Sequence, residues 1–284
     1  MSRIAYVNGR YLPHRLARVH VEDRGFQFAD AVYEVIAIRR GALVDADRHL
    51  ARLRRSLRAL ALAAPMSEAA LMLVLRETVR RNRVADGIVY LQMTRGAAPR
   101  DFAFPAHARP SLVVTARPMR IADPRLIAAG VAVITVPDQR WKRPDVKSVS
   151  LLPNVLAKQQ AKEAGAYEAW QVDAEGNVTE GTSSNAWILG AADEVVTRQA
   201  DTSILKGVTR AAVFDILAQA RVRLVERPFS VAEAKTAREA MLTSATNGVL
   251  PVVRIDGTPI GDGRPGPLAL RLAAAYRAFM EDAT

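Results

Sequence analysis

The sequence predicts a two-domain protein of mixed α/β (α+β) class. Three observations predict it. The chain has 284 residues, which suits two modest domains. Its composition is 50% hydrophobic and 24% charged, the balance of a globular chain with a proper core. Helix-period and strand-period segments are interleaved along its whole length, with no internal repeat and no low-complexity stretch.

The elements follow in order. Ile4 to Val7 and Arg10 to Leu12 flank Asn8-Gly9, a hairpin signal. Ala31 to Arg39 is rich in strand formers, and Gly41 turns it back into Ala42 to Val44. A helix is expected over about 47–62, with Leu50, Leu53, Leu57 and Leu60 as its buried stripe and Arg48, Arg52 and Arg55 on another face. A second helix covers about 67–83, with Ser67 as N-cap and Leu71, Val74, Leu75 and Val79 inward. Strands at about 87–95 and 111–117 enclose a loop marked by Pro99, Pro105 and Pro110.

Around Met119 to Ala129 the pattern changes. This divides the chain into an N-terminal domain, 1–119, a link, 120–129, and a C-terminal domain, 130–284. Val131 to Val136 opens the second domain as a strand. A helix from Pro153 to Ala164 ends at Gly165, with proline inside its start and glycine past its end. Glu168 to Val172 and Ser184 to Leu189 read as strands around a turn at Glu175-Gly176-Asn177. A helix over about 210–220, strands near 222–226, 240–243 and 251–255, and a last helix over about 267–281 complete the chain.

Several function classes are excluded. No run of about eighteen apolar residues is present, so no membrane span is expected. Met1 to Val7 lacks the apolar core of a secretory signal, and a cytoplasmic location is expected. Cysteine is absent, which removes disulfides, thiolate metal sites and cysteine nucleophiles. His14, His20, His49 and His107 are far apart and form no close metal-ligand spacing, so no metal is expected. There is no P-loop, no Gly-x-Gly-x-x-Gly and no nucleophile elbow at Ser183-Ser184. The net charge of +11 raises nucleic acid as a partner of a different functional class. The arginines are dispersed, however, and no stacking aromatics are interleaved with their densest cluster, Arg48 to Arg58. Solvated helix faces account for that charge, and nucleic acid is not an expected partner.

Two residues stand out chemically. Lys147 sits among Val146, Val149, Leu151 and Leu152. Apolar surroundings penalise an ammonium, and a neutral amine is the form that attacks an aldehyde. Glu180 stands on a glycine- and serine-rich stretch, Val178 to Asn185, read as a turn. A lysine beside valines is more often a snorkelling surface residue, and Glu-Gly more often a simple turn. Gly207-Val208-Thr209 lies just before a predicted helix, where backbone N–H groups suit an anion. Thr243 to Thr246 offers a second loop of donors.

These blocks resemble one family when taken together. They are Tyr6 to Gly9, Glu22 to Val35, His49 to Leu53, Thr94-Arg95-Gly96, the Lys147 and Glu180 segments, Ile204 to Arg210, and Thr243 to Asn247. In this order they resemble the D-amino acid aminotransferases of the branched-chain-aminotransferase-like class, the fold-type IV pyridoxal phosphate enzymes. The resemblance covers nearly the whole chain. It implies a small N-terminal α/β domain and a larger C-terminal domain, with pyridoxal 5'-phosphate between them. It also implies a homodimer.

The resemblance assigns roles. Lys147 is implied as the residue that holds the cofactor aldehyde and then moves the proton between substrate Cα and cofactor C4′. Glu180 is implied to pair with the protonated pyridine nitrogen. Leu205, Gly207, Val208, Thr209, Ser244 and Ala245 are implied around the cofactor, and Arg52 at its phosphate. Without the resemblance, Arg52 reads as a solvated helix charge and Thr209 as an N-cap. Many relatives carry threonine where Ala245 stands, so here only a backbone amide is on offer. Tyr33 and Arg100 are implied to hold the substrate α-carboxylate, Arg100 from the neighbouring subunit. That subunit's loop has an Arg-x-His pair in relatives, and Phe102 occupies the histidine position. Asp101 is a potential competitor for Arg100. The implied reaction moves the amino group of a D-amino acid such as D-alanine to a 2-oxo acid such as 2-oxoglutarate. The alternatives are a branched-chain L-amino acid aminotransferase, an (R)-amine aminotransferase and an aminodeoxychorismate lyase.

Overall fold

The structure is a computed structural model that describes residues 3–282. Residues 1–2 and 283–284, the outer ends of the two expected domains, lie outside the described residues. The chain divides into two compact units, residues 3–120 with 146–150 and residues 121–145 with 151–282.

In the first unit, β1 (Ile4–Val7) turns through Asn8-Gly9 into β2 (Arg10–Pro13). A short helix, α1 (Arg24–Phe28), is capped by Asp23, whose carboxylate accepts from Gly25 N–H at 2.9 Å. Then come β3 (Ala31–Arg39), β4 (Ala42–Leu43), α2 (Ala46–Ala59), α3 (Glu68–Asn82), β5 (Gly87–Thr94) and β6 (Ser111–Pro118). Among the described residues the strands form one antiparallel sheet in the order β2-β1-β6-β5-β3-β4. Ser67 caps α3 by accepting from Ala70 N–H, as the sequence predicts. Leu50, Leu53 and Leu57 on α2 and Leu71, Leu75 and Val79 on α3 pack with Ile36, Val89, Leu91 and Val114 of the sheet. Burying each such side chain contributes about 1.5–3 kcal/mol. Leu60, expected in the same stripe, is the C-cap of α2 and only half-buried.

β4 pairs only with the far end of β3, at Ile38 and Arg39. The near end of that edge is taken by the strip Val146–Ser150. Tyr33 N–H donates to the Lys147 carbonyl at 3.0 Å, Val149 N–H donates to the Ala31 carbonyl at 3.1 Å, and Val32 bridges Ser148. The sequence places this strip in the second domain. The structure groups it with the first unit, because its backbone hydrogen bonds go to β3.

The second unit begins with α4 (Pro124–Ala129), capped by Asp123, which occupies most of the stretch expected as a link. It continues with β7 (Val131–Pro137), α5 (Leu152–Glu163), β8 (Glu168–Val172), β9 (Val178–Gly181), β10 (Asn185–Leu189), β11 (Val195–Thr197) and α6 (Val208–Gln219). β12 (Leu224–Glu226), α7 (Val231–Thr236), β13 (Glu239–Ser244), β14 (Gly248–Ile255), β15 (Thr258–Pro259) and α8 (Pro267–Asp282) complete it. The described strands order as β12-β11-β10-β13-β14-β7-β8-β9, with β15 on β14. β7 runs parallel to β8 and β14, so a crossover is needed, and α5 lies on the connection between β7 and β8. The core holds Trp170, edge-on to Phe229 at 6.3 Å, with Ile188, Leu242, Leu250 and Val252. No described helix is long and apolar enough to cross a membrane.

One difference from the sequence expectation bears on the site. Glu180 is not on a turn. It lies in β9, an antiparallel partner of β8 whose four residues are all buried.

Candidate active site

The first unit holds Lys147, Tyr33, Arg52 and Arg100. The Lys147 backbone is fixed on one side by β3 and on the other by the buried Ser56 of α2, whose hydroxyl accepts from Lys147 N–H at 3.2 Å. Its half-buried side chain puts Nζ 4.2 Å from the centre of the Tyr33 ring. The amine makes no hydrogen bond or ion pair among the described residues. The other lysines differ. Lys158 donates to the Tyr167 carbonyl and lies 3.8 Å from Glu168, while Lys142 and Lys162 are exposed.

Alternation along β3 places Glu34 on the opposite face from Tyr33, inside the unit and fully buried. His49 and Arg52, three apart on α2, both reach it. Arg52 Nε and Nη2 donate to the two Glu34 oxygens at 2.8 and 2.7 Å, and His49 Nδ1 lies 2.7 Å from Oε2. Burial pushes the Glu34 carboxyl up, but Arg52 and His49 outweigh it and hold it at about 2. Burial lowers the pKa of His49 in spite of Glu34. Arg52 is therefore an anchored, 5%-exposed cation and not a solvated helix charge.

Arg100 lies over two aromatic rings, 5.0 Å from the centre of Phe28 and 5.6 Å from that of Phe102. The two rings are 5.4 Å apart. Asp101 does not take Arg100; its carboxylate accepts from Ala103 N–H at 3.2 Å.

The second unit holds the other candidates. Glu180 accepts from Leu205 N–H at 3.0 Å, from Asn185 Nδ2 at 2.9 Å and from Arg140 Nη1. Arg140 is itself spread over Asp138, at 2.9 and 2.6 Å, the Thr179 hydroxyl at 3.2 Å and the Ser203 carbonyl at 3.2 Å. Burial raises the Glu180 carboxyl, and the Arg140 cation only partly opposes it. Asn185 also donates to the Leu205 carbonyl at 2.9 Å, and its Oδ1 packs against Gly207. A Cβ on Gly207 would stand 2.2 Å from that oxygen, so the close approach requires glycine.

Gly207 is the N-cap of α6 and no side chain caps this helix start, which leaves the first N–H groups, at Val208 and Thr209, available to an anion. The Thr209 hydroxyl is 3.3 Å from the Tyr276 hydroxyl. Asn185 pairs in register with Thr243, so Ser244 and Ala245 follow at the end of the neighbouring strand. Ser244 Oγ accepts from Asn247 N–H at 3.2 Å. Thus Glu180, Leu205, Gly207, Val208, Thr209, Ser244 and Ala245 are brought together within one unit around Asn185.

Sequence reasoning gave no role to Glu34, His49, Asp138, Arg140 or Asn185. One signal was available. Glu34 is a charge inside the apolar run Val32 to Ile38, and such a residue is buried only when paired. Asp138 and Arg140 carried no such mark.

Each unit offers groups of the kind pyridoxal phosphate needs. The first has the Lys147 amine, without hydrogen bond or ion pair among the described residues; the second has a buried carboxylate at Glu180 and an uncapped helix start flanked by hydroxyls. Comparison with known proteins agrees. Residues 31–255 match the family described as amino-transferase class IV. The chain is similar to the D-alanine aminotransferase of Bacillus licheniformis, 42% identical over 271 residues, covering 95% of this chain and 94% of that one. It is 36% identical over 280 residues to the D-alanine aminotransferase of Staphylococcus haemolyticus, covering 97% of each. In fold it is similar to the branched-chain amino acid aminotransferase of Escherichia coli, with a TM-score of 0.93 at 20% identity, covering 100% of this chain and 96% of that one. The chain belongs to the class IV aminotransferases, which are pyridoxal phosphate-dependent enzymes.

Proposed function

We infer that this protein transfers the amino group of a D-amino acid, such as D-alanine, to a 2-oxo acid, such as 2-oxoglutarate. The observation that carries the reading is the identity to D-alanine aminotransferases over nearly the whole chain. When bound, the cofactor supplies an aldehyde for the substrate amine and an electron-accepting ring for the carbanion left by proton removal. Lys147 would hold it through that aldehyde and, once freed as an amine, would act as the base and then the acid for the substrate Cα proton. Glu180 would hold the pyridine nitrogen, with Arg140, itself held by Asp138, keeping the carboxylate in place. The Val208 and Thr209 N–H groups, the hydroxyls of Thr209 and Ser244, the Ala245 N–H and the Arg52 guanidinium would hold the phosphate. Leu205 steadies Glu180 through its N–H.

Tyr33 and Arg100 take the α-carboxylate. With Phe102 in the histidine position, Arg100 is the cation of its motif and its face is supported by Phe28 and Phe102. The family likeness supports a homodimer in which Arg100 serves the neighbouring subunit. The absence of cysteine is in keeping with a reducing compartment and supports a cytoplasmic location.

The test is a screen of D-amino acids, L-amino acids and (R)-amines against 2-oxoglutarate and pyruvate, with Lys147→Ala as control. D-alanine should react, L-amino acids should not, and Lys147→Ala should lose both the visible cofactor absorbance and turnover. Reaction confined to branched-chain L-amino acids or to (R)-amines would replace this reading, and retained absorbance in Lys147→Ala would unseat the lysine.

A further inference from the structure

The connection between β5 and β6, residues 95–110, carries Arg100. A loop of this length has a large entropy to lose, and it holds one shape only if it is tied down. It is tied at its base and near its tip.

At the base, Gly96 has φ of +99° and a Cβ there would stand 1.9 Å from the Arg109 carbonyl oxygen, so the two arms of the loop touch. Arg24 N–H donates to the Gly96 carbonyl at 2.9 Å, and Asp23 bridges Ala97. Near the tip, Arg24 Nη1 donates to the Asp101 carbonyl at 2.5 Å and Nη2 to the Phe102 carbonyl at 3.3 Å. Its Nε donates to Asp30 at 2.9 Å. Arg95 grips the same carboxylate with Nε at 2.7 Å and Nη2 at 3.0 Å. Its remaining donors reach the carbonyls of Leu60 and Ala61 at 2.7 and 2.9 Å, and its face lies 3.6 Å from the centre of the Phe104 ring.

Arg24 and Arg95 are both buried. Two buried cations share one carboxylate, and backbone carbonyls take their other hydrogen bonds. Their donors are spent on the loop and its footing, not offered to a ligand. Arg100, on the loop that both of them grip, makes no hydrogen bond among the described residues and rests on the rings of Phe28 and Phe102.

We propose that Arg24 and Arg95, joined through Asp30, are positioning residues that preset the loop and so hold Arg100 ready for the substrate α-carboxylate. This rests on the reading of Arg100 given above. The two arginines act on the loop, Arg24 through the backbone carbonyls of Asp101 and Phe102 and Arg95 through the Phe104 ring. A preset cation loses no loop entropy on binding, so the device lowers KM without entering the proton transfer.

The test uses the holoenzyme with Arg24→Met and Arg24→Lys. KM and kcat for D-alanine are measured beside amide hydrogen exchange of residues 99–105. Arg24→Met should raise KM about tenfold, the size of one lost charge-assisted hydrogen bond, with kcat changed less than twofold. Exchange should speed up at residues 99–105 and stay as in wild type at Lys147 and Glu180. Arg24→Lys, which keeps the charge and one reach to a carbonyl, should recover part of both effects. If Arg24→Met fails to fold, the lysine variant carries the same split at smaller size. Unchanged loop exchange, or an equal loss in kcat with KM unmoved, overturns the proposal. Arg100→Ala is run in parallel. If it leaves KM for D-alanine untouched, the reading of Arg100 fails, whereas faster loop exchange in the Arg24 variants still reports on the clamp itself.

Discussion

Glu34 and Glu180 are both buried carboxylates, and their surroundings drive them in opposite directions. Arg52 and His49 hold Glu34 at about 2, whereas burial raises Glu180 although Arg140 touches it. Glu34 is a fixed anion that anchors helix α2 to strand β3. Glu180 is raised by burial, and in the role proposed for it a ring cation beside it would join Arg140 in favouring its charged form. Glu180→Gln tests this. Glutamine keeps an acceptor for Leu205 N–H and Arg140 but loses the charge, and Arg140 retains Asp138. The variant should fold, with stability lowered by about 1–3 kcal/mol in thermal unfolding. It should bind cofactor yet remove the α-proton much more slowly, seen as a larger primary isotope effect with α-deuterated D-alanine. Turnover and isotope effect equal to wild type would sink the role.

At the scale of elements, β3 does two jobs by alternation, with Tyr33 beside Lys147 and Glu34 paired to α2. That pairing sets an acid response. The folded chain holds Glu34 at about 2 against an ordinary 4.5, so the unfolded chain takes the proton first. Its stabilisation is complete above the ordinary value and is lost as pH falls toward the folded one. His49 is lowered from 6.5 by burial, so the unfolded chain also binds that proton first, and stability falls with acid from near its ordinary value. Denaturant midpoints should drop in both windows, and Glu34→Gln should flatten the more acidic one; parallel curves for the two proteins would remove Glu34 from the account. Helix α2 and strand β3 were legible because their apolar spacing is long enough to show a period. Strand β3 occupies the residues that the sequence predicts. Helices α1, α4 and α7, of five or six residues, show no period, and β9 was hidden by its own last residue, Gly181, and the serines that follow. Lys147 and Glu180 stood out chemically, but only the family resemblance gave them roles. Arg140 and Asn185 were not legible, because the contacts that tie Arg140 to Glu180 and Asn185 to Leu205 span 40 and 20 residues and no local pattern reports them.

For the whole molecule, the question is whether one chain suffices. The first unit exposes Val21, Phe26, Phe102 and Phe104, at 72%, 76%, 79% and 61%. The two segments that carry them are joined by the Asp23–Ala97 bridge and the Phe28–Phe102 ring contact. Apolar residues grouped on one side of a unit are expensive to leave in water and mark association. Arg100 lies in the same loop, so an interface there would carry its guanidinium toward a neighbour. We therefore expect a homodimer with each site completed by the partner's Arg100. Sedimentation should give twice the 30.9 kDa chain mass. Complementation gives a sharper test. Lys147→Ala homodimers lack the amine in both sites, and Arg100→Ala homodimers lack the carboxylate cation in both. If sites are shared, a mixed dimer has one site with neither residue and one with both. Unfolding and reassembling the two variants at equal amounts makes half the dimers mixed, and one site in two of these is intact. About one quarter of wild-type activity at low D-alanine should return. If each site is built from one chain, mixing restores nothing, and an active monomer at assay concentration would remove the shared site altogether.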